Sequence, residues 1–476
     1  MVFNSTIFVL LFLFVFIQYW FLPIRGKHTL IIIASVLFYT WYSIPFFVLF
    51  VSVLILNYIL AMKFISQVEK GNKPTRELLW FIVAIDLSIL GFFKYFYLLA
   101  STTGNIFSVS YLVNIRSNLI HDFGLQIILP IGISFYIFQV IAFVVDCYRG
   151  VVNQKIDFRR FAVFILFFPQ FVAGPILRAT DFLPQIDRPT LTAERVRAGL
   201  LLLLLGAVKK ILIADRIGSE IGAAWRNPAG YDATVYLLLP AAFLGQIYAD
   251  FSGYTDMARG MGKLLGYELP ENFKGPFLAR SMSELWTRWH ITLSSWLRDY
   301  IYIPLGGSRG SEFRTSVNLF ITMALGGFWH GATWNMLLWG IIIGVVLIVE
   351  RSLRVRKIRL LPEGKFFDSI RVVFTFGMFC FSALFFAAPS LDQSSIILKG
   401  ILTWQRGNPL PGFSSTFFLF VLAYLLNVPG YHESIREWVK KRPKLQTASI
   451  SVGLFVVGFL IFLYGDVAGA FIYFAF

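Results

Sequence analysis

The stretch FFVLFVSVLILNYILAM, residues 46–62, contains no Asp, Glu, Lys or Arg, and its reading decides the class of fold. Wound as an α-helix at 1.5 Å per residue it reaches roughly 25 Å, close to the ~30 Å hydrocarbon core of a bilayer. Its apolar residues run on without alternating, so a membrane β-strand, which shows one face to lipid and the other to a lumen, does not fit. The run reads as a membrane-spanning helix, entered through the turn signal Pro45 and left at Lys63.

Comparable runs recur outward in both directions. Spans are predicted at 7–22, 29–43, 78–99, 126–147, 198–214, 233–250, 316–329, 333–350, 371–389, 414–428 and 448–464, which with 46–62 gives about eleven to thirteen crossings. The first has no basic residue ahead of it and no small-residue cleavage site, so it is expected to be retained and not removed as a signal peptide. Residues 161–177 are apolar but contain Pro169, Gly174 and Pro175, which favours a re-entrant segment over a crossing. In 198–214 the pair Lys209-Lys210 is expected to snorkel from a helix end or to line a wet cavity. With 57% of residues hydrophobic and 14% charged, a soluble domain is excluded. The expectation is an all-α polytopic integral membrane protein, a single multi-pass domain over 1–476, without internal repeats.

The net charge of +16, from 42 Lys plus Arg against 26 Asp plus Glu, would suggest nucleic acid in a soluble chain. Here the basic residues gather in short loops, as cytoplasmic segments do, so the partner is membrane lipid and no nucleic acid is expected. Loops 63–77, 351–371 and 429–446 are therefore placed inside, and 100–124, with Arg116 alone, and 390–413 outside. Cys147 and Cys380 lie in or beside apolar runs and read as packing residues. His28 and His432 lie in basic loops and His121 in a polar loop, where each reads as a solvated side chain. No HExxH, GxSxG or P-loop pattern occurs, which argues against a metalloprotease, a serine hydrolase and an ATPase.

Between Asp250 and Asn335 the hydrophobic pattern breaks and ionisable groups gather at a depth where they are costly, so function is expected there. SELWTRWHITLSSWLRDY, residues 283–300, spaces Trp286, Trp289, Leu293, Trp296 and Tyr300 by three and four, predicting one amphipathic helix. Glu284 and Arg288 fall at i,i+4 on it, and His290 lies off the aromatic stripe with Ser294 one turn later. A packed interfacial helix with a satisfied histidine explains this segment as well as a site does. In LGGFWHGATWN, residues 325–335, His330 sits between Gly326-Gly327 and Gly331, where glycine lets a helix unwind and a backbone approach a ligand. His330 there is a candidate general base, with Trp329, Thr333, Trp334 and Asn335 available to orient it or to touch substrate. The alternative is a helix–helix turn whose histidine caps a carbonyl.

LPIGISFYIFQ at 129–139, FPQFVAGPILR at 168–178, QIYADFSGYTDMARGMGKLLGYELPENF at 246–273, RWHITLSSWLRDYIYIPLGG at 288–307, GGFWHGATWN at 326–335 and the terminal FIYFAF occur in the order of a known family. The chain resembles the membrane-bound O-acyltransferase (MBOAT) superfamily, and within it the branch of bacterial alginate O-acetyltransferase membrane subunits. The related D-alanyl transferases of teichoic acid share the RWH and WHG elements, whereas YIPLGG and the aromatic terminus look more like the polysaccharide branch. The resemblance implies a ring of helices around a central funnel, with the catalytic region at 246–335. It assigns the family's two histidines to His290 and His330, the second as the essential one; Trp289, Arg288, Ser294, Trp329, Trp334 and Asn335 beside them are the expected substrate contacts. It implies acetyl-CoA as donor, or an acyl carrier, with no tightly bound cofactor and no metal. It also implies a sugar hydroxyl, or an extracytoplasmic acetyltransferase partner working with polysaccharide assembly proteins, as acceptor. In that chemistry His330 would deprotonate the incoming hydroxyl, with backbone N–H near Gly331 or the Asn335 amide facing the oxyanion. A D-alanyl transferase, a non-catalytic scaffold and a transporter are the rival readings; inverted repeats, which a transporter should show, are not found.

Overall fold

The computed structural model describes residues 3, 5–171, 174–427, 452, 453, 458 and 471, and the predicted span 448–464 and loop 429–446 with His432 lie outside all but a few of these. Among the described residues there is no strand, only an isolated bridge between Tyr231 and Asn408. Five helices among the described residues are long and apolar enough to cross a membrane: Ile44–Glu69, Arg76–Phe107, Ala233–Leu264, Trp334–Val355 and Lys365–Ala387. The chain is an all-α, multi-pass membrane protein. It divides into two compact units, one built on Ile7–Arg195 with Gly262–Leu269 and one on Val196–Met261 with Pro270–Phe476.

The first unit carries α1 (Thr6–Phe21), α2 (Ile24–Thr40), α3 (Ile44–Glu69), α4 (Arg76–Phe107), the short α5 (Ser110–Val113) and α6 (Ile115–Phe123), then α7 (Ile133–Tyr148), α8 (Phe158–Leu166) and α9 (Ala179–Phe182). The run that decides the fold lies in α3, where Ser43 accepts from Phe46 N and Pro45 stands in the first turn. α3 past 62 and α4 before 78 outrun the predicted spans because Lys, Gln, Glu and Arg there continue a helix into water as readily as they end a hydrophobic window, while α4 also runs on through 100–107. α7 starts seven residues later than its predicted span at 126, because Pro130 and the left-handed Gly132 delay the first turn. In the segment read as re-entrant, α8 has nine residues, roughly 14 Å at 1.5 Å each, too short to cross. Buried Gln139 donates to Phe164 O at 2.9 Å and accepts from Gln170 at 3.3 Å, which satisfies backbone freed where α8 ends. His28 corrects its reading as a solvated residue: it is 2% exposed, and Nε2 donates to Ile186 O at 3.0 Å.

The second unit runs through α10 (Ala193–Ala207), a π-turn at Val208–Ala214, α11 (Asp215–Arg226) and α12 (Ala233–Leu264). It continues with α13 (Met282–Arg288), α14 (Ile291–Leu297), a second π-turn at Arg298–Tyr302, α15 (Glu312–His330), α16 (Trp334–Val355), α17 (Lys365–Ala387), α18 (Leu391–Leu402) and α19 (Phe413–Leu425). α18 occupies the predicted outer loop 390–413, capped by Ser390. α12 passes the point at Asp250 where its apolar pattern ends, because its polar side chains are buried and paired instead of solvated. Lys210 Nζ lies 2.8 Å from Asp215 and 2.9 Å from Asp250, and Lys209 Nζ lies 2.7 Å from Asp256. Both lysines are 6% exposed, so neither snorkels nor lines a wet cavity as expected. Consecutive residues of an α-helix point about 100° apart. The π-turn at the lysines widens the helix by a residue and lets both turn towards carboxylates. Close approach of α10 and α12 requires glycine on both sides: a Cβ on Gly206 would stand 2.5 Å from Gly253 O, and one on Gly260 would stand 2.7 Å from Gly199 O.

Candidate active site

The predicted helix over 283–300 is two helices. Ser281 accepts from Glu284 N at 3.1 Å to start α13, and Glu350 on α16 accepts from Met282 N, Ser283 N and Ser283 Oγ at 2.6–3.0 Å, filling the donors a helix start leaves open. α13 stops at Trp289, which is extended, and His290 turns left-handed at φ 42°, ψ 53° before α14 begins. A non-glycine residue there is uncommon, and periodicity cannot register it. The turn dissolves the single aromatic stripe. Trp286 packs on Trp339 and Trp289 on Phe379, at 5.8 and 5.2 Å between ring centres, while Trp296 pairs with Tyr300 at 5.2 Å. His290 is 1% exposed and receives Phe251 edge-on at 4.6 Å, so it is a buried core group and not an interfacial one.

His330 is the last residue of α15, and the chain crosses to α16 through the extended Gly331 and through Thr333, whose Oγ1 accepts from Met336 N at 3.3 Å. The break is where the sequence places it, but Gly326 and Gly327 do not unwind the helix. A Cβ on Gly327 would stand 2.5 Å from Met336 O and 2.7 Å from Gly340 Cα, so this glycine exists for the crossing of α15 and α16. That tight crossing delivers the imidazole of His330 among Trp329, Trp339 and Phe386, at 5.0, 5.3 and 5.3 Å between ring centres. Trp329 also faces His290, with 6.4 Å between ring centres, so one indole touches both histidines.

A small cavity opens beside His330. Trp289 and Trp339 line it together with Phe243, Leu244 and Ile247 of α12 and Phe379, Ala383 and Phe386 of α17. Its walls are apolar apart from the imidazole and the two indoles. The structure thus brings Trp289 of the first motif and His330 of the second to one cavity, with Trp329 behind them.

The remaining expected residues hold the site instead of facing it. Arg288 Nη2 donates to Glu284 at 2.5 Å, and Ser294 Oγ donates to Trp289 O at 3.2 Å, satisfying a carbonyl freed by the break. Asn335 is buried and donates to Ala388 O at 2.9 Å and Ser394 Oγ at 3.4 Å, so its amide N–H groups are committed to the α17–α18 connection and are not free for an oxyanion. Trp334 is 45% exposed and is not among the pocket walls. Sequence reasoning missed Trp339, Phe379 and Phe386, because in an apolar span nothing distinguishes a pocket wall from a lipid contact. It also passed over Asn272, whose ELPENF setting was visible but whose role depends on a contact twenty residues away.

Fold and site together first define a class: a multi-pass, all-α membrane protein with a histidine at the wall of an apolar cavity in its second unit. The sequence profile described as MBOAT, membrane-bound O-acyltransferase family, matches residues 31–388, and the chain belongs to that family. Among its relatives is the "Probable alginate O-acetylase AlgI" of Pseudomonas putida, 35% identical over 474 residues, covering 95% of this chain and 93% of the relative. A peptidoglycan O-acetyltransferase of Helicobacter pylori is 31% identical over 84% of this chain and 80% of its own length. A teichoic acid D-alanyltransferase of Streptococcus thermophilus is 29% identical over 54% of this chain and 68% of its own. The protein is an O-acyltransferase.

Proposed function

We propose that the protein moves an acetyl group from a cytoplasmic thioester, acetyl-CoA or an acylated carrier, towards hydroxyl groups of an extracytoplasmic polysaccharide. The observation that carries this is the placement of His330 at the wall of an apolar pocket shared with Trp289. Nε2 or Nδ1 of His330 removes the proton of the incoming hydroxyl while its oxygen attacks the thioester carbonyl. The C–O bond forms, the C–S bond breaks, and the imidazolium returns its proton to the departing thiolate. With Asn335 engaged elsewhere, the backbone N–H of Gly331 is the better-supported donor to the oxyanion. His290 supports the site from the far side of Trp329. Relatives that act on alginate and on peptidoglycan match most of the chain, which favours a polysaccharide acceptor over teichoic acid, whose relative matches about half. The final acceptor is reached through an extracytoplasmic acetyltransferase partner, the chain sits in a bacterial inner membrane among polysaccharide assembly proteins, and the helices ring a funnel in which donor and acceptor meet.

The test uses membranes containing wild type or His330→Ala at matched abundance, supplied with labelled acetyl-CoA. Loss of a general base lowers turnover on the order of 10²–10⁴-fold. Thioester turnover by His330→Ala at the wild-type rate would refute His330 as the base, and turnover by wild type no greater than in membranes lacking the protein would return the scaffold or transporter reading. Transfer of D-alanyl in place of acetyl would move the protein to the teichoic acid branch.

A further inference from the structure

His290 holds a backbone conformation that L-residues avoid, and a conformation of that kind persists only where its surroundings over-determine it. Several of the contacts that fix it converge on one residue. Asn272 is 0% exposed and lies in the connection from α12 to α13. Ile291 N donates to Asn272 O at 3.1 Å, and Thr292 N and Thr292 Oγ1 both donate to Asn272 Oδ1, at 3.1 and 2.7 Å. The Asn272 amide donates in turn to Thr255 Oγ1 on α12 at 3.5 Å, tying the clamp to the helix that supplies Phe251. Two residues on, Lys274 N donates to Arg288 O at 2.9 Å, so the strand of backbone at 272–274 grips the chain on both sides of His290.

The clamp has a directional consequence. Had α13 continued unbroken, Trp289 and His290 would leave adjacent positions of one helix about 100° apart. The left-handed turn instead sends Trp289 to the pocket wall and His290 against Phe251 and Trp329. Relaxing His290 to an ordinary helical conformation would move both rings at once.

We infer that Asn272 is the positioning residue of the site: by accepting from Thr292 and Ile291 it holds His290 in the left-handed turn that sets the imidazole against Trp329 and the indole of Trp289 into the pocket. This rests on the acyl-transfer reading for its effect on turnover, but not for its effect on His290.

The experiment compares purified full-length wild type, Asn272→Ala, Thr292→Val, Thr292→Ser and His330→Ala by two readouts: kcat and KM for acetyl-CoA turnover with a small polyol added as hydroxyl acceptor, and modification of each histidine by diethyl pyrocarbonate read by mass spectrometry. Misplacing a group by about 1 Å costs on the order of 10²-fold in rate. Asn272→Ala is expected to lose about that much in kcat, with KM changed less than about threefold because ground-state binding is retained. Its His290 becomes modifiable while His330 stays as in wild type. Thr292→Val repeats the pattern more weakly, and Thr292→Ser, which keeps the hydroxyl donor, restores turnover and protection. The inference is overturned if Asn272→Ala turns over at the wild-type kcat, or if His290 stays as protected in it as in wild type. Equal exposure of both histidines would also overturn it, since that reports general loosening. If His330→Ala retains turnover, the assignment of His330 as general base falls by itself, and the modification pattern still decides whether Asn272 holds His290.

Discussion

Lys210→Met asks whether the polar residues of 246–256 serve chemistry or hold α12 against α10. The substitution keeps side-chain length and volume, so little packing changes, but it removes the cation that Asp215 and Asp250 share at 2.8 and 2.9 Å. The Asp250 carboxylate is 3% exposed and the Asp215 carboxylate 20%, so water replaces the lost ammonium poorly, at Asp250 least of all. Removing one partner of a buried ion pair typically costs about 3–5 kcal/mol, because a buried charge is left uncompensated. Adding Asp250→Asn removes one of the two carboxylates, and the coupling between the changes should return about 1–3 kcal/mol. The measurement is the unfolding midpoint of purified protein in detergent, followed by tryptophan fluorescence, with the amount of protein in membranes as a second readout. Lys210→Met is expected to lower both, and the double variant to recover part of each. A Lys210→Met protein that unfolds at the wild-type temperature and accumulates normally would refute the argument. If it also failed to turn over acetyl-CoA, Lys210 would belong to the reaction and not to the helix pair.

Gly327→Leu or Gly340→Leu should cost 1–3 kcal/mol or more and reduce accumulation, because each added side chain meets the other helix's backbone and not a flexible tip; Gly377→Ala, with nothing within 4 Å of its new Cβ, should be silent in the same thermal assay. A single cysteine introduced at Lys357 should resist an impermeant reagent in intact cells and react after permeabilisation, from the basic residues of 351–371. One introduced at Ser117, beside the lone Arg116 of 100–124, should react without permeabilisation. Purified protein supplied with acetyl-CoA and polysaccharide but no other subunit should yield no acetylated polymer, and product formation under those conditions would remove the need for a partner.

What was legible in the sequence follows from what periodicity can and cannot encode. The run at 46–62, the punctuation at Pro45 and the breaks within 161–177 and 325–335 are readable because each depends on local composition: unbroken apolar character, a ring-locked φ, a missing Cβ. Two residue types were misread for a shared reason. Lys209-Lys210 and His28 were assigned by the polarity of their neighbours in sequence, whereas their environment is set by groups tens of residues away, Asp250 and Asp256 for the lysines and Ile186 O for the histidine. The stripe over 283–300 failed differently. Its spacing was helical, yet the backbone inverts at His290 because Asn272 makes the inversion worthwhile, and no count of threes and fours contains that contact.

The two histidines reach one indole by unlike means, and the difference predicts how each fails. His330 is delivered by geometry that side chains barely enter: a glycine crossing fixes α15 against α16, and the helix ends on the residue in question. Truncating His330 to alanine leaves that crossing intact and merely enlarges a pocket already present, so the loss should fall on turnover far more than on the fold. His290 is delivered by a strained turn inside a closed aromatic cluster, where its ring fills space between Phe251 and Trp329. His290→Ala therefore empties a buried site and should lower the unfolding midpoint as well as turnover. His290→Gly adds a residue at ease with positive φ and should regain part of the midpoint, by roughly the 1–2 kcal/mol that a left-handed non-glycine residue costs, while regaining no activity. If His290→Gly were no more stable than His290→Ala, the left-handed turn would not be a strained one, and the reasoning that ties it to Asn272 would lose its basis.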